Sequence, residues 1–249
     1  MQKKKKIVFA IKMKKIFYLV IALFMISTLS AQNKKLTLYY PDSTTVVNIV
    51  GLDSMTIFIC GASKVGYGGK DYNTVLIGTQ CWLKENLDLG MKINHGTLPL
   101  NDATIEKYCH GDLQANCDTY GGLYEWNEAM QYLTTEGTQG ICPIGWHIPT
   151  YAEFQTLDAA VNGDGNSLKA IGQGTGDGAG TNLSGFSALL GGGHSPTLSY
   201  GDMGFIGYFW SSTEYDLNAD WARYMHMYSH QGSILYSIDV EVDAMSVRC

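Results

Sequence analysis

"ICPIGWHIPTYAEF", residues 141–154, packs a cysteine, two prolines, a tryptophan and the start of a helix into fourteen positions. Pro149 interrupts any regular element before it, because proline has no amide hydrogen to donate. Thr150 stands three residues ahead of Glu153, the spacing of a capping box, in which each residue's side chain satisfies the other's free backbone amide. Tyr151, Phe154, Leu157 and Val161 recur at helical intervals and give the segment one apolar face. The stretch therefore reads as a turn feeding a well-capped helix, with Trp146 buried beside it. Cys142, just upstream, would tie that turn to another part of the chain.

The front of the chain bears on where such a tie would form. The first fifteen residues hold seven lysines and no acid, and an apolar run follows from Ile16 to Ala31. A basic start, a short apolar core and small residues at Ser30-Ala31 describe a secretory signal peptide over 1–31. The apolar core, Ile16 to Ile26, is too short for the roughly 20 residues that span a bilayer. Cleavage is expected after Ala31, with Met1 or Met13 as the start. No cysteine stands near the cleavage point, so a lipid anchor is not expected. The expectation is a secreted or cell-surface protein with no membrane span after cleavage.

Charge excludes one class of partner. The chain has 17 basic and 23 acidic residues. Losing seven lysines leaves ten basic residues and a net charge of −13. Such a chain repels phosphate backbones, so no nucleic-acid partner is expected.

Six cysteines, Cys60, Cys81, Cys109, Cys117, Cys142 and Cys249, read as a disulfide framework in an exported protein. Spacing leaves fifteen connectivities open. There is no C-x-x-C and no histidine at finger spacing, which argues against a metal–thiolate site.

Along the chain, residues 33–59 alternate apolar and polar positions around "YPDST", a hairpin signal, and "GLDSMTIFI" continues as a strand. Residues 72–87 are strand-like, with Val75, Ile77 and Trp82 as core positions. Residues 94–120 read as a polar loop. Residues 121–137, "GGLYEWNEAMQYLTTEG", read as a first helix with Tyr124, Trp126, Ala129, Met130 and Leu133 on its apolar side. Residues 162–185 hold eight glycines and read as a loosened segment. Short strands follow at 186–193 and 204–213. A hairpin then turns near His230-Gln231-Gly232, and "AMSVRC" makes a last strand.

The ordered motifs "YNTVLIGTQCWLKENL", "KYCHGDLQANCDTYGGLYEW", "ICPIGWHIPTYAEFQTL", "GTNLSGFSALLGG", "GYFWSSTE" and "SVRC" resemble the Fibrobacter succinogenes major paralogous (FISUMP) domain over residues 66–249. The resemblance divides the chain into the signal peptide, a short β-rich segment at 32–60 like those preceding such domains in Bacteroidota, and a domain at 61–249. It implies an α+β, C-type-lectin-like mixed fold related to formylglycine-generating enzymes, with two main helices, short antiparallel strands, long loops and three disulfides. It also implies the pairs Cys60–Cys81, Cys109–Cys117 and Cys142–Cys249. It carries little chemistry with it.

Site signals are weak. His194 beside "SPTLSY" and the serines of "WSST" lack a nucleophile-elbow pattern. His226 and His230 lie too far apart on a strand to share a metal. "NGDGNS" opens like a calcium loop but lacks its glycine and glutamate, and "GQGTGDGAG" has no phosphate-loop spacing. Glu125 and Glu128 read as solvated helix carboxylates. The densest cluster of oxygen ligands is "STEYDLNAD", where Glu214, Tyr215, Asp216, Asn218 and Asp220 would form a ligand-binding loop. Its Glu214, Asp216 and Asp220 would take Ca²⁺, the one cofactor considered. Tyr200, Phe205, Tyr208, Tyr215 and Tyr224 could stack on sugar rings. The expected function is a surface binding or adhesion module for a glycan or a protein. The alternatives are a secreted hydrolase or oxidative modifier, and a non-catalytic assembly component.

Overall fold

The computed structural model describes residues 58–249 and, before them, the backbone of two strands. The signal peptide read at 1–31, and residues 50–57 of the strand read next, lie outside the described residues. Lys34–Tyr40 (β1) and Ser43–Ile49 (β2) pair antiparallel with Tyr40 opposite Ser43.

The second unit begins at Cys60. It opens with two small hairpins, Val65–Tyr67 (β3) with Lys70–Tyr72 (β4), and Thr74–Ile77 (β5) with Gln80–Leu83 (β6). The larger sheet takes up Met91–Ile93 (β7), Glu106–Tyr108 (β8) and Leu123–Glu125 (β9). It then takes Gly191–Ser195 (β10), Ser199–Met203 (β11), Ile206–Tyr215 (β12), Asn218–Tyr228 (β13), Leu235–Val240 (β14) and Ala244–Ser246 (β15). Its order is β14–β13–β12–β10–β15–β9–β8–β7, with β11 added on β10 and β12 also touching β15. Helices are short: Gln114–Tyr120 (α1), Trp126–Ala129 (α2), Tyr151–Ala160 (α3) and Gly165–Leu168 (α4). The architecture is mixed α+β and strand-rich.

α3 starts where the sequence places it. Thr150 Oγ1 accepts from the Glu153 amide at 3.1 Å, and Glu153 Oε2 accepts from the Thr150 amide at 3.0 Å. Phe154 and Leu157 are fully buried under the sheet beside Phe209, Met225 and Met227. Trp210 and Tyr224 point the opposite way, into a second core with Leu83, Tyr124, Trp126 and Val247. Alternation along the strands thus supplies both cores from the same ribbon.

Several expectations need correction. The helix read at 121–137 is a strand, β9, followed by the single turn α2. β9 is captured by β15, with Tyr124 opposite Met245 and Leu123 opposite Ser246, and Gln131 and Tyr132 take positive φ and end the turn. Leu133 is exposed rather than apolar-facing. The second longest helix is α1, inside the stretch read as loop at 94–120, which also holds β8. Charged strand residues hid β8: Lys107 pairs with Asp88, and Glu106 Oε2 accepts from the Leu100 amide at 2.6 Å. Strands are neither all short nor all antiparallel. β13 runs eleven residues, and β7–β8, β10–β12 and β12–β15 are parallel. Trp146 is half-buried, packed at the margin of the second core.

The cysteines pair as Cys60–Cys81, Cys109–Cys117 and Cys142–Cys249, the partners that the resemblance implies. The last bridge joins the turn before α3 to the residue after Arg248. A loop near 100 residues contributes about 4.7 kcal/mol in the chain-entropy account. Arg248 reinforces that closure. Its guanidinium is fully buried and donates to the carbonyls of Leu83, Lys84 and Phe186 and to Asn86 Oδ1.

The glycine-rich segment is not loose. Lys169 is fully buried, and its ammonium donates to the carbonyls of Gly178 at 2.5 Å and of Tyr228 and Gln231 at 2.8 Å. The chain closes tightly around it. A Cβ at Gly178 would lie 2.3 Å from the Ser229 carbonyl oxygen. Glycine here permits backbone contact rather than motion.

Candidate functional site

The ribbon β12–β13–β14 positions most of the chemistry that sequence reading singled out. Tyr208 stands opposite His226 and Trp210 opposite Tyr224, while Tyr224 stands opposite Ser237 and Ala222 opposite Asp239. Residues in register share a face. One face therefore carries Tyr208, Tyr224, His226, Tyr228, Ser237 and Asp239, and the other carries Phe209, Arg223 and Met225 toward α3.

On the first face the rings form a row. Tyr208 lies 5.7 Å from Tyr224 and 6.2 Å from His226, His226 lies 5.4 Å from Tyr228, and Tyr228 lies 5.3 Å from His230. Tyr208 and Tyr228 are half-buried and Ser237 is exposed. The Tyr208 hydroxyl donates to Asp202 Oδ2 at 2.8 Å. Burial raises the carboxyls of Asp239 and Asp243, and Asp239 raises Asp243 further. His226 is 8% exposed, and its Nδ1 is buried without a hydrogen-bond partner. Burial holds its pKa below the usual imidazole value, so the ring is neutral at pH 7.

The acidic loop read from sequence is the β12–β13 turn. Glu214 and Tyr215 end β12, Asp216 and Leu217 make the tip, and Asn218 and Asp220 open β13. Asn218 Oδ1 accepts from the Asp220 amide at 3.1 Å, and Asp216 Oδ2 lies 4.0 Å from Arg223 Nη2. The carboxylates are strung along the turn. Among the described residues, no three His, Cys, Asp or Glu side chains meet in a group able to hold a metal ion. A residue that sequence reading missed, Glu241, joins this end of the ribbon, where its amide donates to the Asp220 carbonyl at 3.0 Å. Burial, with Glu214 and Asp220 adding to it, pushes its carboxyl up to about 7.

A separate cluster surrounds His194. Its Nε2 is 3.0 Å from Nδ1 of His95, and the Tyr108 ring stacks on it at 3.9 Å. Burial, then His95, pulls His194 down to about 4. The Tyr108 hydroxyl lies 2.6 Å from the Thr97 carbonyl and 3.0 Å from Glu125 Oε1. Glu125 and Glu128 are buried, not solvated as the helix reading had them. Burial pushes Glu125 up to about 7 and Glu128 upward. Polarity concealed this cluster in the sequence, since its members come from three strands (β8, β9 and β10), the α2 turn and the loop after β7.

Nucleophile chemistry finds little support. Ser211 Oγ donates to the Arg223 carbonyl and Ser212 Oγ to the Pro149 carbonyl, so neither serine meets a histidine. All six cysteines are bridged, leaving no free thiol. In "NGDGNS", Asp164 caps α4 by accepting from the Asn166 amide, a structural turn. No helix among the described residues is long and apolar enough to cross a membrane.

Comparison with curated proteins and with solved structures gives no significant match. The profile of the Fibrobacter succinogenes major domain matches residues 75–249, from β5 through the last strand and the Arg248 closure. That span holds the capped helix, the ribbon and two of the three disulfides whole. The chain belongs to the Fibrobacter succinogenes major domain family.

Proposed function

We propose that this protein is a disulfide-stabilised binding module working outside the cytoplasm, on a C-type-lectin-like frame, and that it holds a glycan on the aromatic face of β12–β14. The observation that supports this most is the row Tyr208, Tyr224, His226 and Tyr228, with ring centroids 5.3–6.2 Å apart and the two half-buried tyrosines at its ends. A sugar ring offers flat C–H faces that pack on such rings, while its hydroxyls need acceptors at the edge. Asp202, Asp239 and Ser237 supply them. Tyrosine suits the task because it gives a large rigid surface at a small entropy cost.

A glycan array probed with the disulfide-bonded protein tests the reading, alongside Tyr208→Ala and Tyr228→Ala. Retention of a glycan by the parent and its loss in both variants is the expected result. An EDTA arm tests a calcium contribution from Glu214, Asp216 and Asp220. The aromatic face predicts retention that EDTA leaves unchanged. Silence across the array in every condition would overturn the glycan reading and favour an assembly component.

A second reading, a hydrolase, draws on one observation: Glu125 is held at about 7 within reach of the Tyr108 hydroxyl, as a general acid would be. It predicts turnover that Glu125→Gln abolishes without changing the fold.

A further inference from the structure

Arg223 and Arg248 are the two arginines of the chain. Arg223 lies mid-way along β13, on the α3 side of the ribbon and so across the sheet from the aromatic row. Its guanidinium carbon is 5.0 Å from the Tyr151 ring centroid and 5.4 Å from that of Tyr215. Tyr151 meets Tyr236 edge-on at 5.2 Å. Tyr151, Arg223, Tyr236, Ser237 and Ile238 line an open cavity of about 120 Å³.

The walls of this cavity are fixed. Tyr151 is the first residue of α3, set by the Thr150–Glu153 box, and its amide donates to Thr213 Oγ1 at 2.9 Å. The Tyr236 hydroxyl is tied to the Phe154 carbonyl and to Asp158 Oδ2, each at 3.1 Å. Among the described residues the guanidinium meets no hydrogen-bond acceptor. Its nearest acid is Asp216, 4.0 Å away on a side chain 88% exposed at the turn tip.

A guanidinium carries five N–H donors in one plane. Held between aromatic faces, it has already lost much of its rotamer freedom, so less is lost on meeting a ligand. The chemistry that complements one planar fork is a planar carboxylate, which accepts two parallel hydrogen bonds. The cavity holds about four water molecules' worth of volume, enough for a carboxylate and the atoms attached to it. A phosphate would bring more charge and more acceptors, with no further cation here to meet them.

We propose that Arg223, between Tyr151 and Tyr215, is a binding site for the carboxylate of a small ligand, supplied by a sugar acid or by a simple organic acid. Asp216 is a tethered competitor for the same fork. The site lies on the opposite face from the aromatic row of the glycan reading and shares with it only Ser237, at the sheet's margin.

The test titrates D-glucuronate, acetate and D-glucose into the full disulfide-bonded chain and follows the ring resonances of Tyr151, Tyr215 and Tyr236 by NMR. At least one acid shifts those resonances and glucose leaves them still. Affinity falls about tenfold or more in both Arg223→Gln and Arg223→Lys, since lysine keeps the charge but loses the fork. Asp216→Asn, a change at an exposed tip that leaves folding intact, tightens binding several-fold. Glucuronate alone names a sugar acid as the source; equal binding of acetate names simple acids. The proposal is overturned if neither acid moves the three rings, if Arg223→Gln binds as well as the parent, or if glucose gives the same shifts. Because neutral glycans are read at Tyr208 and Tyr228, this result and the array result fail separately.

Discussion

Arg248 and Arg223 both lie against aromatic rings, yet their donors meet different fates. Arg248 sits 4.5 Å from the Phe186 ring centroid, and every nitrogen of its guanidinium finds an oxygen: three backbone carbonyls and the Asn86 amide. Burial pulls it below the usual guanidinium range, but the caged cation remains charged at neutral pH. Arg223 sits between two tyrosines with no acceptor in bonding range among the described residues. Ring contact alone does not tell a structural cation from a recognising one. The number of donors already used does. Lys169, with three carbonyls on its ammonium, falls with Arg248.

The comparison can be broken by removing each cation in turn. Arg248→Met should cost about 3–5 kcal/mol in urea unfolding, because four buried acceptors lose their donor at once. If that variant does not fold, Arg248→Lys should fold with a smaller loss. Lys169→Met should cost about 2–3 kcal/mol by the same measurement, as three carbonyls from two segments lose their donor. A cost under 1 kcal/mol at either position would mean that the cages are incidental.

The His194 cluster sharpens the contrast through pH. Its ring is held at about 4 against an ordinary 6.5, so the unfolded chain takes up the proton first. Stability from this residue is complete above about 6.5 and is lost as pH falls toward 4. His95, His110 and Asp112 face the same ring and set the background. Glu125 and Glu241, held near 7, act the other way, and their contribution fades as pH rises from about 4.5 through 7. Set against the parent, His194→Phe should gain in unfolding midpoint as pH falls from 6.5 to 4, while the difference between the two stays constant from 7 upward. Smallest of all, Arg223→Gln should change stability by less than about 0.5 kcal/mol, as expected for a partly exposed charge with no hydrogen bond.

What the sequence disclosed was local. The Thr150–Glu153 box, the Tyr151–Val161 face and the hairpin around His230-Gln231-Gly232 depend on neighbours within a few residues, and each stands as read. Leu123–Glu125 was misread because its partners, β8 and β15, lie 15 and more residues away and its apolar spacing also suits a helix. Residues 162–185 read as loose because glycine reports freedom, whereas Lys169 within them uses that freedom to gather its own segment's Gly178 carbonyl with the distant ones of Tyr228 and Gln231. The turn carrying Glu214, Tyr215, Asp216, Asn218 and Asp220 was found. Glu241 and Arg223, which give those residues their surroundings, come from other strand positions and carry no motif. Tyr151 was seen as a helix-face residue, and only the structure gives it an arginine to cover.

Synthesis proceeds from the first residue to the last, and the three bridges differ in how long each waits. Cys60 and Cys109 meet partners 21 and 8 residues later, so both loops close soon after emergence. Cys142 must stay unpaired while 107 further residues are added. For that interval it is the one thiol able to attack a bridge already made. Maturation therefore hinges on a late, long-range oxidation, and an oxidoreductase that shields Cys142 would raise yield more than one that speeds the earlier pairs.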